Sequence, residues 1–190
     1  MAKRWVRTDR SNAAISCLPK NGSTSIKTCR GLDKHYLTPE EALNHQVRVG
    51  IIREPLSRLW SMYRFLKNQH ETGASTLHNV PTSSYEAFID HTFMYQDNHW
   101  KLQTELLETK EGVWIPTVMY RFEWIDEFWP DYFDVALPKK NSSPVFYTVN
   151  DYRFEELLTK YQRDIDLWES LGDKDGRATT ETREGNRSVS

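Results

Sequence analysis

A strand that runs straight into a helix through a tight polar turn leaves few architectures open, and this chain does so twice. The segment CLPKNGSTSIK at 17–27 follows an apolar run at 13–18 and carries a lysine, a glycine and three hydroxyl residues into a helix. The segment IIREPLSRLWSMY at 51–63 ends the apolar strand 47–52 on Arg53 and enters a second helix through Pro55, a residue suited to the first helical position. That helix bears Arg58 and Ser61 near its start. Backbone N–H groups, hydroxyls and an ammonium gathered at a helix N-terminus suit an anion. Two such junctions in one α/β domain suit a ligand with two separated phosphate-type groups, which points to a nucleotide.

The order of residues in the first turn narrows the choice. A Walker A loop places its lysine after the last glycine, before Ser or Thr; here Lys20 precedes Gly22 and no Gly-Lys-Ser/Thr follows. A dinucleotide loop needs GxGxxG, and this turn holds one glycine. The pattern Pro-Lys-x-Gly-Ser-Thr-Ser resembles the 5′-phosphosulfate loop of the sulfotransferases that use 3′-phosphoadenosine-5′-phosphosulfate (PAPS). Arg53-x-Pro55-x-x-Arg58-x-x-Ser61-x-Tyr63 resembles the 3′-phosphate site of the same superfamily.

The resemblance extends along the chain, closest to the Golgi-type carbohydrate sulfotransferases. Asp97-Asn98-His99-Trp100-x-x-Gln103 is similar to their His-Trp segment, and Tyr120-Arg121-Phe122-Glu123 to a strand end before a helix. Leu137-Pro138-Lys139-Lys140-Asn141-Ser142-Ser143 resembles their Leu-Pro-x-x-Asn loop, and Tyr161-Gln162-Arg163-Asp164 their terminal Tyr-x-x-Asp helix. The resemblance implies a P-loop NTPase-like three-layer α/β/α fold with a central, mostly parallel sheet. It also implies transfer of a sulfuryl group from PAPS to an acceptor hydroxyl, on a carbohydrate, with PAP as the other product. Family members of this kind carry a membrane anchor and stem. This chain shows neither a signal-peptide-like run nor a spanning segment, and is expected as a soluble or cytoplasmic form, minimal or trimmed.

Within that reading Lys20 is the residue of greatest weight. Sulfuryl transfer builds negative charge on the departing 5′-phosphate, and a fixed ammonium beside the bridging oxygen binds that charge more strongly as it grows. Asn21, Gly22, Ser23, Thr24 and Ser25 form the expected cradle for the 5′ end, with helix capping as the alternative role of the hydroxyls. Arg53 and Ser61 are expected at the 3′-phosphate; Arg58 stands evenly between ligand contact and salt bridge, and Asn141 and Ser142 are candidates for a further cofactor contact. The acceptor hydroxyl needs a base, worth roughly 10²–10⁴ in rate. His99 is the first candidate, with Glu40, Glu41 and His35 as rivals. Trp114, Trp124 and Trp129 suit a core better than a stacking platform. A degenerate P-loop kinase and a non-catalytic nucleotide-binding module remain as alternatives.

Length and charge agree with this. The 190 residues suffice for one domain over 1–171, followed by a polar, disorder-like tail at 172–190. Lys and Arg number 25 against 27 Asp and Glu, which gives no drive toward nucleic acid. Two cysteines in a strand–turn–helix unit suit buried thiols better than a disulfide framework. No ligand cluster has zinc or calcium spacing. Helices are expected at 23–30 with Gly31 as C-cap, 39–43, from Pro55 onward, 85–92, 100–107, 123–133 and 151–171, and a strand at 113–120 with Pro116 marking an edge or a bulge. In the helix from Pro55, the stripe Leu56, Leu59, Trp60, Tyr63 and Leu66 is expected to face the sheet. The polar loop 69–84 and the aromatic segment 93–100 are expected to shape the acceptor pocket.

Overall fold

A computed structural model describes residues 4–8, 12–29, 32–74, 77, 79–131, 137 and 152–172, with 8, 28, 32–35 and 131 defined by backbone alone. The strands are β1 (Trp5–Thr8), β2 (Ala13–Ser16), β3 (Leu32–Leu37), β4 (Val47–Ile52) and β5 (Val118–Arg121). They make one five-stranded mixed sheet in the order β3-β1-β2-β4-β5. β2 pairs in parallel with β4, and β4 with β5, while β1 is antiparallel to both β2 and β3. Four of the five strands therefore point the same way.

Seven α-helices lie among the described residues: α1 (Ser23–Thr28), α2 (Pro39–Ala42), α3 (Pro55–Glu71), α4 (Tyr85–Met94), α5 (Gln103–Leu106), α6 (Ile125–Phe128) and α7 (Phe154–Ser170). The strands alternate between two buried faces, as the twofold period of a strand requires. Val6, Ile15, Val49, Ile51 and Tyr120 pack with Ile26 of α1 and with Ile125 and Phe128 of α6. Trp5, Ala14, Ile52 and Met119 pack with Ala42 of α2, Leu106 of α5 and Leu167 of α7. Gly50 belongs to this second face. A Cβ there would lie 2.2 Å from the Met119 sulfur and 2.9 Å from Pro116 Cγ, so the β4–β5 layer closes only over a glycine.

Several expectations are corrected. The apolar stripe of α3 does not face the sheet: Leu56, Leu59, Met62, Tyr63 and Leu66 join Phe88 and Ile89 of α4, Trp100, and Leu157 and Tyr161 of α7 in a separate helical core. α3 also continues to Glu71, into the segment expected as loop. α1 stops at Thr28 with Cys29 as C-cap, and α5 is only the middle of the expected 100–107 helix. The span expected as one helix at 123–133 is broken into a 3₁₀ turn at Phe122–Trp124, α6, and a second 3₁₀ turn at Trp129–Asp131. β5 begins only after Pro116 and forms one edge of the sheet. β1 and β3 lack the continuous apolar run that marks β2 and β4, because β3 is the other edge and carries LDKHYL, a polar-rich sequence. Cys17 and Cys29 are buried thiols, as expected, with burial pushing the Cys17 thiol up to about 12.

Candidate active site at the β2 and β4 tips

Everything at the site follows from β2 and β4 being parallel neighbours, in the register Ala13↔Val47, Ala14↔Arg48 and Ile15↔Val49. Just beyond these pairs, the Ile51 N–H donates to the Ser16 hydroxyl at 2.8 Å. The chain therefore leaves both strands side by side, β2 into the Lys20 turn and β4 into Arg53. Lys20 takes the left-handed conformation (φ 68°), as does Gly22 (φ 73°). Backbone N–H groups in turns of such alternating hand form anion-binding concavities. Gly22 is the N-cap of α1 and brings no side chain to occupy the first-turn N–H groups. The space its missing Cβ leaves is taken by the Phe122 ring, which would otherwise be 2.8 Å away.

Two cations meet there. The Arg53 guanidinium donates from Nη1 to the Lys20 carbonyl at 3.2 Å and lies 5.2 Å from the centre of the Phe122 ring. Lys20 Nζ stands 4.3 Å from the centre of the Phe65 ring, a cation–π contact with α3. Burial, and then the nearby Arg53 charge, lowers the Lys20 ammonium to about 8. Burial also lowers Arg53, with Glu123 and Glu54 opposing the shift. The Glu54 carboxylate is itself the cap of α3, accepting from the Leu56 N–H at 3.0 Å and the Ser57 N–H at 2.5 Å. This corrects the expected symmetry of the two junctions. At the second, an acid already closes the helix N-terminus, and only side chains, Arg53 and the buried Ser61 one turn beyond Arg58, offer anion chemistry.

Arg58 is turned inward. Only 1% exposed, it donates from Nε to the Pro19 carbonyl at 3.2 Å, from Nη1 to Lys101 at 2.9 Å and from Nη2 to Asn98 at 3.3 Å. Burial lowers its pKa, and Tyr161 and Asp164 oppose that shift. One guanidinium thus ties the residue before Lys20 to the residue before His99. It is a brace between the two segments.

A second brace was missed in the sequence. Gln103 Oε1 accepts from the Arg53 N–H at 3.0 Å and its Nε2 donates to the Arg53 carbonyl at 2.8 Å, holding that backbone on both sides. The same Oε1 accepts from Asn21 Nδ2 at 2.7 Å, and Asn21 Nδ2 also donates to the Ile51 carbonyl at 2.9 Å. The Asn21 side chain is therefore buried against β4, and ties the Lys20 turn to Arg53. Asp164, 0% exposed, accepts from the Gln103 and Thr104 N–H groups at 2.7 and 2.9 Å and from the Thr104 hydroxyl at 2.8 Å. The detectable signal was an acid on the apolar stripe of α7, three residues after Tyr161 and seven after Leu157.

His99 lies in the turn that Arg58 holds, with its Nδ1 2.5 Å from Asp97 Oδ1. Of its rivals, Glu41 completes a capping box, accepting from the Thr38 N–H at 2.7 Å. Glu40 lines a separate polar cleft of about 380 Å³ with Arg4, Lys101 and Glu105; Lys20 and Arg53 are not among its walls. The His35 side chain, Asn141, Ser142 and residues 173–190 lie outside the described residues. Trp129 is core; Trp114 packs against the second sheet face, and Trp124 lies 4.8 Å from the Arg121 guanidinium. That guanidinium also caps the end of α7, donating to the Trp168 and Glu169 carbonyls at 2.8 and 3.2 Å.

A mixed, mostly parallel sheet with two cationic side chains, Lys20 and Arg53, at adjacent strand tips defines an α/β protein. The model of the sulfotransferase family matches residues 8–166. The chain belongs to that family, and its chemistry at the level of class is sulfuryl transfer. No curated protein and no solved structure matches it. Among the described residues, no group of three or more His, Cys, Asp or Glu is placed to hold a metal, and no helix is long and apolar enough to cross a membrane.

Proposed function

We propose that this protein is a PAPS-dependent sulfotransferase of P-loop-like fold, acting on a hydroxyl of a carbohydrate acceptor. The observation that carries the reading is the pairing of Lys20 and Arg53 at neighbouring strand tips, two partly buried cations that repel each other until an anion separates them. Both cations, with the glycine-capped turn, fit a doubly phosphorylated adenosine. When bound, PAPS supplies a sulfuryl group activated by a phosphate leaving group.

The residues then divide the work. Lys20 and the N–H groups of Gly22, Ser23, Thr24 and Ser25 hold the 5′ end, and Arg53 with Ser61 holds the 3′-phosphate. Lys20 contributes most as charge develops on the departing oxygen, since an ammonium fixed in a low-dielectric crevice meets that charge without reorganising. A loose transition state leaves positioning and charge compensation as the main tasks, by analogy with phosphoryl transfer. His99 takes the acceptor proton. Arg58, Asn21 and Gln103 act as braces, and Asn141 and Ser142 remain proposed cofactor contacts.

The test is transfer of label from ³⁵S-PAPS to a panel of glycans, phenols and alcohols, with PAP binding measured in parallel by calorimetry. Tight PAP binding and labelled glycan are expected; failure to bind either PAPS or PAP overturns the reading. Lys20→Ala should lower kcat by about 10²–10³ while weakening PAP binding less, as expected when a stabiliser of transition-state charge is removed.

A further inference from the structure

We propose that Asp97 is a positioning residue for His99, fixing the orientation of the ring and which of its nitrogens carries the proton. The inference rests on the assignment of His99 as the base made above. A single oxygen, Asp97 Oδ1, accepts from the His99 backbone N–H at 2.8 Å and lies 2.5 Å from His99 Nδ1. The carboxylate accepts only if Nδ1 carries hydrogen, which leaves the Nε2 lone pair to take a proton. Both side chains are about one-third exposed, 37% for His99 and 34% for Asp97, so the pair is not sealed in the core.

The turn around this pair is held on several sides. The Trp100 and Lys101 N–H groups donate to the Asp97 carbonyl at 3.2 and 2.8 Å, and Trp100 Nε1 donates to the Tyr95 carbonyl at 2.7 Å. Buried Arg58 holds the Asn98 carbonyl and Arg4 Nη2 donates to Asn98 Oδ1 at 2.8 Å. Among the described residues, charged and titratable groups near the pair include Arg58 from α3, His91 from α4, Arg4 and Lys101. Lys101 is paired with Glu105 at 2.8 Å, and Asp97 acts on His91 by raising a pKa that burial lowers. Asp97 is the carboxylate hydrogen-bonded to the His99 ring.

In the step itself the acceptor oxygen forms a bond to sulfur as the bond from sulfur to the bridging phosphate oxygen breaks. The hydroxyl proton moves to His99 Nε2, and the bonding pair leaves on the phosphate. Asp97 stabilises the imidazolium so formed without taking the proton, the role a carboxylate plays behind a catalytic histidine elsewhere.

Two variants separate charge from contact. Asp97→Asn keeps an acceptor oxygen and removes the charge: His99 should keep its Nδ1–H tautomer while kcat falls about tenfold. Asp97→Ala removes the oxygen too: kcat should fall about 10²-fold, and long-range ¹⁵N–¹H spectra of ¹⁵N-histidine-labelled protein should show His99 changing from the Nδ1–H to the Nε2–H tautomer. Both variants should bind PAP with wild-type affinity, which also reports that they fold. An Nε2–H tautomer in the wild type, or an Asp97→Ala variant that keeps the wild-type kcat, overturns the proposal. A wild-type protein that transfers no sulfuryl group overturns the function assigned above; the pairing is then judged by the ring nitrogens alone.

Discussion

Raising the pH through the Lys20 titration perturbs the site without altering a residue. In the free protein burial and Arg53 hold the Lys20 ammonium at about 8, against an ordinary 10.5. A phosphate seated beside it supplies the missing counter-charge and returns the pKa to at least its ordinary value. Binding must then take up a proton wherever free Lys20 is neutral, between about pH 8 and 10.5, while the ligand phosphates are already fully ionised above about pH 7. Relative to its value at pH 7, the Kd for PAP should rise about tenfold by pH 9, about 1.4 kcal/mol. Calorimetry at constant ionic strength, in buffers of different ionisation enthalpy, should show uptake of close to one proton at pH 9 and almost none at pH 7. Lys20→Arg keeps the charge, cannot titrate in this range, and should flatten the dependence. A wild-type Kd that changes less than about threefold from pH 7 to 9.5, or an arginine variant with the wild-type slope, would refute the placement of Lys20 beside the anion. The sign for stability is the reverse. The unfolded chain holds this proton across the same window and the folded chain does not, so the free protein should gain stability as pH rises from about 8.

Other outcomes follow from the braces and the core. Arg58→Met should destabilise the fold by about 3–5 kcal/mol, because the Pro19, Lys101 and Asn98 carbonyls lose a charged donor in a buried setting; urea unfolding reads this directly. Asp164→Ala strips two N–H groups and a hydroxyl of their acceptor and should lower stability by about 2–4 kcal/mol. It should also weaken PAP binding, since Gln103 then loses its hold on Arg53; unchanged PAP affinity would show that the clamp is irrelevant to the crevice. Gly50→Ala drives a methyl into Met119 and Pro116 and should lower stability by about 1–3 kcal/mol, measurable as a drop in Tm.

The two strand-to-helix junctions were legible from local chemistry. β4 falls on the expected 47–52, and Pro55 opens α3 as its ring geometry suggests. Lys20, Gly22 and Arg53 stood out because a lysine and a glycine in a hydroxyl-rich turn, and an arginine at a strand end, are chemistry without an obvious packing role. Less legible was everything depending on a partner distant in sequence. The α3 stripe is as apolar as expected, but periodicity says only that a helix buries one face; whether sheet or helices receive it is decided by α4 and α7. By position Arg58 suits a ligand contact and a surface salt bridge equally; its contacts make it a buried brace, a distinction carried by carbonyls 39 to 43 residues away.

Residue order along the chain was enough to indicate an α/β domain, the two strand-to-helix turns and the family, because each is written in contiguous residues through turn chemistry and apolar periodicity. Tertiary packing alone decided that the two turns lie side by side, that the Arg53 guanidinium reaches the Lys20 carbonyl, and that Asp164 is tied through Gln103 to a loop more than a hundred residues earlier. The reason is physical. A buried charge or amide is stable only beside its partner, and the partner is supplied by strand order and helix packing rather than by neighbours in the chain.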